Sequence, residues 1–271
     1  MTHIVQTRMC HVTERRYLGL PGYSHSTNVE AFDAAGKWSA LPSLSWPRSE
    51  LTATAVGNTA AFAGGADRAS VRPEVDFFTY AGGGWTHAAG NLSVARDDFA
   101  AAAAGGVMMF GGGEDAAGDT DLIDVFTIAT GAWSTARLSV SRSLAAGVGA
   151  GQYIMFAGGA NYDSGAVVDT VDLFNTATGA WSVAHLTVAR SRLAATVSGN
   201  VAFFAGGENS NGPVAVVDAF NYVTGAWTSY PSAIAPARWA MAAAAVGNVA
   251  VFGGGLPGAY CCSKVVQVFT Q

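Results

Sequence analysis

Short apolar runs alternate with glycine-rich turns along nearly the whole chain, and no segment sustains a 3.6-residue apolar period. The stretch from Arg190 to Trp227 shows the pattern most fully. A small-residue run, Leu193 to Val197, leads to a Gly199-Asn200 turn, then to the wholly apolar Val201 to Ala205 and the pair Gly206-Gly207. After a variable loop come Val217-Asp218-Ala219-Phe220, a Thr224-Gly225 turn and Trp227. Runs of this length bounded by Gly/Asn or Thr/Gly turns predict strands joined by tight hairpins. The alanine runs Ala100–Ala104 and Ala242–Ala245 favour helix by propensity. They stand where another copy has Leu51-Thr52-Ala53-Thr54-Ala55-Val56, so they too are read as strands.

The order recurs. Diglycines begin at Gly64, Gly111, Gly158, Gly206 and Gly253, and tryptophans stand at positions 38, 85, 133, 181 and 227. Arginines at 48, 96, 142, 190 and 238 keep the same step, as does an acid before an aromatic at Glu30, Asp76, Asp124, Asp172 and Asp218. A further copy of the acid position, Gln267, loses the charge. Each repeat reads as four short strands, and a unit this small cannot cover both its faces alone. Radial stacking covers them, which predicts an all-β fold: a β-propeller of four-stranded antiparallel blades. The second strand is apolar throughout because both faces are covered, and the first is rich in Ala and Gly because innermost strands converge. The diglycine marks a sharp turn or a close approach to another blade. The repeated tryptophan is read as filler of the gap between blades, so Trp181→Ala is expected to cost about 3–5 kcal/mol.

The expected count is six blades with an irregular first one. The alternative is five regular blades plus a closing segment. The repeats start near 48, 96, 142, 190 and 238 within one domain spanning 1–271, and residues 1–47 form a degenerate first blade or closure. Tyr17-Leu18-Gly19 falls where an apolar strand and diglycine belong, and Ile4-Val5-Gln6-Thr7 is the candidate fourth strand for the last blade. An apolar strand ending in Gly-Gly, then an aromatic followed by Trp (Phe126 to Trp133, Phe174 to Trp181, Phe220 to Trp227), resembles the kelch repeat over residues 29–271. It departs in having Phe where kelch repeats often have Tyr. The resemblance implies a propeller, commonly six-bladed and closed by strands from both termini. Related kelch-like mutarotases imply that a carbohydrate ligand is an option.

Composition narrows the function classes. The 271 residues are 50% hydrophobic and 12% charged, which excludes a disordered chain. A net charge of −5 gives no reason to expect nucleic acid or an anionic membrane as partner. Three cysteines do not make a disulfide framework. The N-terminus has no apolar stretch of the kind secretory signals carry, so a cytoplasmic setting is expected if Met1 is native.

Residues that break the repeat in loops are free to act, and the loops after strands two and four emerge on one face. There lie Glu50, Asp98 and Arg192, each two positions after a repeated arginine; Arg68, Glu114, Tyr162, Asp163, Glu208, Asn209 and Tyr260 after the diglycines; and the off-register Trp46 and Trp239. Acids, amides and aromatics in this mixture suit a protein or peptide ligand. A sugar stacked on an exposed tryptophan is the second reading. The repeated arginines are either an anion-binding ring or structural partners of carbonyls and carboxylates. Cys261-Cys262 lacks metal-site spacing, the copper site of kelch-like galactose oxidases is not assembled, and no nucleophile or phosphate-loop motif appears. No catalytic residue, metal or cofactor is therefore assigned, and the expected role is a non-catalytic binding module.

Overall fold

The computed structural model describes residues 4–6, 26–32, 36–67, 69–258 and 262–270. They form an all-β chain of propeller blades, arranged in two compact units. One unit is Met1–Asp98 with Glu114–Ala117, and the other is Phe99–Gly113 with Gly118–Gln271.

In the first unit, β1 (Ile4–Gln6), β2 (Glu30–Phe32) and β3 (Trp38–Ala40) make a three-stranded sheet. The first blade follows as the meander β4 (Thr52–Val56), β5 (Thr59–Ala63), β6 (Glu74–Ala81) and β7 (Gly84–Asn91). A short strand, β10 (Glu114–Asp115), also belongs here. In the second unit the second blade is β8 (Ala100–Ala104), β9 (Val107–Gly111), β12 (Leu122–Thr127) and β13 (Ala132–Arg137), with the short β11 (Gly118–Asp119) before β12. The third is β14 (Ala146–Ala150), β15 (Tyr153–Ala157), β18 (Thr170–Asn175) and β19 (Ala180–His185). Its connection carries the ribbon β16 (Ala160–Asn161) and β17 (Ala166–Val167). The fourth is β20 (Ala194–Ser198), β21 (Val201–Ala205), β24 (Val217–Asn221) and β25 (Ala226–Tyr230), with the ribbon β22 (Glu208–Asn209) and β23 (Gly212–Pro213). The fifth has β26 (Ala242–Val246), β27 (Val249–Gly253) and β28 (Val266–Thr270).

Among the described residues there are thus five blades, one per repeat, and not the expected six; the alternative count is the one that fits. The β1–β3 sheet has strands of three residues each and no innermost strand among those described. Ile4–Gln6 does not complete the fifth blade either. It pairs with β2 in the register Ile4↔Phe32 and Gln6↔Glu30, taking the second-strand place beside a third-strand motif. Tyr17-Leu18-Gly19 lies outside the described residues. Both alanine runs are strands, as tertiary pairing overrides their helical propensity.

Close approach of blades explains the small residues. A side chain at Gly147 would stand 2.5 Å from the carbonyl oxygen of Ala101, and one at Gly149 would run into that of Ala103. The innermost strands of the second and third blades therefore meet backbone to backbone. The left-handed glycine pairs are Gly64-Gly65, Gly112-Gly113, Gly158-Gly159, Gly206-Gly207 and Gly254-Gly255. In the glycine triplets the pair is thus one residue later than the reading from Gly111 and Gly253. The second glycine of a pair donates its amide to the carbonyl of the next repeated arginine: Gly159 to Arg190 and Gly207 to Arg238, both at 2.9 Å.

The repeated arginines are structural. Arg48, Arg142 and Arg190 are buried, and each grips three partners. Arg190 donates to the carbonyls of Val188 and Phe204 at 3.0 Å each and to the carboxylate of Asp218 at 2.9 Å. Arg142 holds the carbonyls of Val140 and Phe156 and the carboxylate of Asp172, and Arg48 those of Trp46, Phe62 and Asp76. In these three repeats one residue thus ties the entering loop, the second strand and the third strand together. The same acids accept the backbone amides of Ser45, Ser139 and Thr187 in the entering loops. At the fifth blade the residue at this loop position is Ala235. Gln267 replaces the acid there, accepting from Arg238 while its own amide donates to the carbonyl of Ala235 at 2.7 Å. Burial pushes Arg142 and Arg190 below the ordinary arginine range, opposed by Asp172 and Asp218; Arg238 is pushed down by burial alone.

Asp76 carries one more bond, from His87 at 2.8 Å. Burial works against its charge, but hydrogen bonds from Arg48, His87 and the Ser45 amide, with the charge of Arg48, outweigh it and hold the carboxyl below its ordinary 3.8. A depressed carboxylate contributes stability above its unfolded value and loses it as pH falls through the folded one. The first unit should therefore lose thermal stability below about pH 4, and Asp76→Asn should flatten that part of the melting-temperature profile. An unchanged acid limb in the variant would remove Asp76 as its cause.

The repeated tryptophans are not the buried filler between blades, although Trp227 packs at the edge of the cluster between the third and fourth blades. Trp181 is 37% exposed and Trp38 48% exposed. They lie on outermost strands and cap the aromatic of the neighbouring third strand, with ring centroids 5.0 Å apart for Phe174–Trp181 and 4.9 Å for Phe220–Trp227. The space between blades is filled instead by second-strand phenylalanines: Phe156 and Phe204 are fully buried in the clusters joining the second to the third and the third to the fourth blade.

Candidate functional site

The loops after strands two and four lie side by side because they are stitched together. Isolated antiparallel bridges join Ser143 to Ala160, Ser191 to Glu208 and Trp239 to Leu256, each linking the residue after a repeated arginine to the loop after a diglycine. A repeated apolar residue anchors the incoming loop four positions before each arginine: Leu44, Leu92, Leu138, Leu186 and Ile234 are all buried. That repeat is visible in the sequence and was missed among the alanines and valines around it.

Two residues after each arginine the backbone turns left-handed. Glu50, Asp98, Leu144, Arg192 and Ala240 have φ between 50° and 56°. Such a conformation disfavours any residue with a Cβ, by about 1–2 kcal/mol. It is retained because it links neighbouring blades: the amide of Arg192 donates to the carbonyl of Leu144 at 3.0 Å, and the amide of Ala240 to that of Arg192 at 2.9 Å. The backbone is thus the repeated element, and the side chain is left to vary. Nothing in the residue types signals it, since none of the five is glycine.

In the second unit this position carries a cluster. The Arg192 guanidinium pairs with Glu208, donates to the hydroxyl of Tyr162 at 3.2 Å and stands 5.2 Å from the centre of the Trp239 ring. Three consecutive blades contribute, since Tyr162, Glu208 and Trp239 sit on the loops of the third, fourth and fifth. Glu208 is placed by β22, whose next residue, Asn209, is turned inward. The Asn209 amide donates to the carbonyl of Ala189 and its oxygen accepts the amide of Asn211, so it shapes the loop. Tyr162 is 53% exposed and forms the outer wall. Its amide donates to the Asp119 carboxylate, and the amide of Asp119 donates to Asp163 at 3.2 Å, which locks the loops of the second and third blades together. The expected residues Tyr162, Asp163, Arg192, Glu208 and Trp239 therefore do come together, with Asp119 added.

In the first unit a smaller version forms around Trp46. Its indole N–H donates to Asp67 at 2.8 Å, and Arg72 lies 4.3 Å from the ring centre while pairing with Glu74. The amides of Ala69 and Ser70, joined by the Trp46 indole and the charge of Arg72, hold the Asp67 carboxyl below its ordinary range against the opposing effect of burial. Arg72 was not singled out from the sequence; an arginine in the loop that faces an off-register tryptophan is the signal that could have found it. Glu50 and Asp98 occupy left-handed positions in this unit, and Glu114 bridges back to Asp97. Arg68 and Tyr260 lie outside the described residues.

In both clusters an arginine lies over the tryptophan ring, so neither offers two bare faces to a sugar. His87 and His185 stand on outermost strands, each paired with an aspartate. Compared with known proteins, the chain matches no protein-family model and no curated protein.

Proposed function

We propose that this protein is a kelch-type, non-catalytic binding module that engages a protein or peptide through the Arg192–Trp239–Tyr162 surface of the second unit. The observation that carries the reading is Arg192 itself. A long charged side chain is kept on a strained left-handed backbone where an alanine serves equally well, as Ala240 does one blade later. It is held open by Glu208, Tyr162 and Trp239, and arginine beside tryptophan and tyrosine is the composition of binding hot spots. The kelch resemblance of the repeat supports the same class of role, and the mixed polar-aromatic loops suit extended polypeptide.

A random peptide library panned against the full chain, with Trp239→Ala used for counter-selection, tests it. The peptides returned should lose at least about tenfold in affinity to both Arg192→Ala and Trp239→Ala, with both variants melting like the parent. A glycan array giving specific sugar binding that Trp239→Ala abolishes would assign a carbohydrate ligand instead and overturn the peptide reading.

A further inference from the structure

The Arg192 cluster continues past Tyr162 to a pair of acids. Tyr162 joins the two groups: its hydroxyl accepts from Arg192, and its amide donates to the carboxylate of Asp119. We propose that the polypeptide bound by this surface is anchored by a basic side chain, lysine or arginine, laid over the Tyr162 ring beside the carboxylates of Asp119 and Asp163. The proposal rests on the peptide-binding role of the surface and adds the chemistry of its ligand.

The two aspartates are brought together by their loops. Asp119 ends β11 on the loop of the second blade, and Asp163 follows β16 on the loop of the third. The amide of Asp119 donates to Asp163 at 3.2 Å. Asp163 can reach it because residue 118 is glycine: a Cβ there would stand 2.6 Å from one Asp163 oxygen and 2.9 Å from the other. Each carboxylate is thus fixed by a backbone amide of the facing loop.

Fixed carboxylates of neighbouring loops repel each other, and a cation beside them relieves it. Among the described residues no basic side chain forms an ion pair with either, since Arg192 pairs with Glu208 and Arg137 with Asp121. Oδ1 of Asp119 is buried and takes no hydrogen bond. Arg192, Glu208, Asp119 and Asp163 together set one positive charge against three negative ones. An arginine alone would favour an acidic ligand, but Glu208 already takes that place. Tyr162, 53% exposed, supplies the aromatic face on which a lysine or arginine is attracted by the ring as well as by the acids. Charge complementarity therefore selects a basic residue.

The test uses the labelled full chain on four sets of immobilised heptapeptides, random except for a central Lys, Arg, Glu or Leu. The Lys and Arg sets should bind at least about fivefold more strongly than the Leu set, and the Glu set more weakly than it. The preference should fade at about 1 M salt. Asp163→Asn keeps an acceptor for the Asp119 amide and removes only the charge. It should melt like the parent and bring the Lys and Arg sets down to the Leu set; Asp119→Asn repeats the test from the facing loop. Arg192→Ala and Trp239→Ala should weaken whatever binds. Binding that is lost in those two variants but equal across the four sets, or a Lys and Arg preference that survives both Asp163→Asn and Asp119→Asn, overturns the basic anchor and leaves the loop surface standing. Binding that ignores Arg192→Ala and Trp239→Ala, or no binding by any set, overturns both.

Discussion

Asp218→Ala destabilises the second unit by about 3–5 kcal/mol, the range for removing one member of a buried ion pair. The size comes from what is left behind. The Arg190 guanidinium is fully buried and loses its carboxylate partner at 2.9 Å, while the Thr187 amide and hydroxyl lose their acceptor. Removing both charges does not restore stability. In many proteins a buried pair replaced by apolar residues is neutral or better. Here Arg190→Met with Asp218→Leu also strips the donors from the carbonyls of Val188 and Phe204, and each orphaned buried group costs about 1–3 kcal/mol. Urea unfolding of the two single variants and the double variant measures the coupling. A double variant as stable as the parent would mean that the arginine serves only to neutralise the acid.

Phe204→Ala is expected to cost about 3–5 kcal/mol, and Trp181→Ala only about 1–2 kcal/mol, although tryptophan is the larger residue. Phe204 has no exposed surface and lies in the cluster between the third and fourth blades, where a cavity cannot collapse without moving a sheet. Trp181 stands on an outermost strand, 37% exposed, and its loss uncovers one face of Phe174. Guanidinium midpoints for the two variants decide the order. Equal shifts would place Trp181 in the core that its repetition first suggested.

The repeat made most of the architecture legible. Spacing placed every strand of the five blades, and the small-residue strands correctly implied converging sheets, as the contacts of Gly147 and Gly149 with the second blade demonstrate. Repetition did not say what each landmark does. The arginines could have formed an anion ring until Asp76, Asp172 and Asp218 were found beside them. Within the candidate site, Arg192, Glu208, Tyr162 and Trp239 were recognisable one by one as departures from the pattern. Their meeting was not, because they lie on loops of three different blades and their approach depends on how those blades stack.

What the residues alone determined, then, is whatever depends on short range: strand periodicity, turn chemistry and the length of the repeating unit. Local backbone preference and the alternation of apolar runs with glycine turns suffice for that. Burial, partnership and handedness were decided only in the tertiary structure. Whether a tryptophan is core or cap depends on which strand lies outermost. Whether a residue other than glycine turns left-handed depends on a carbonyl of the neighbouring blade, as at Arg192 and Leu144. The first is set by the packing of whole strands and the second by a group a full repeat away, so no local reading of the chain can contain them.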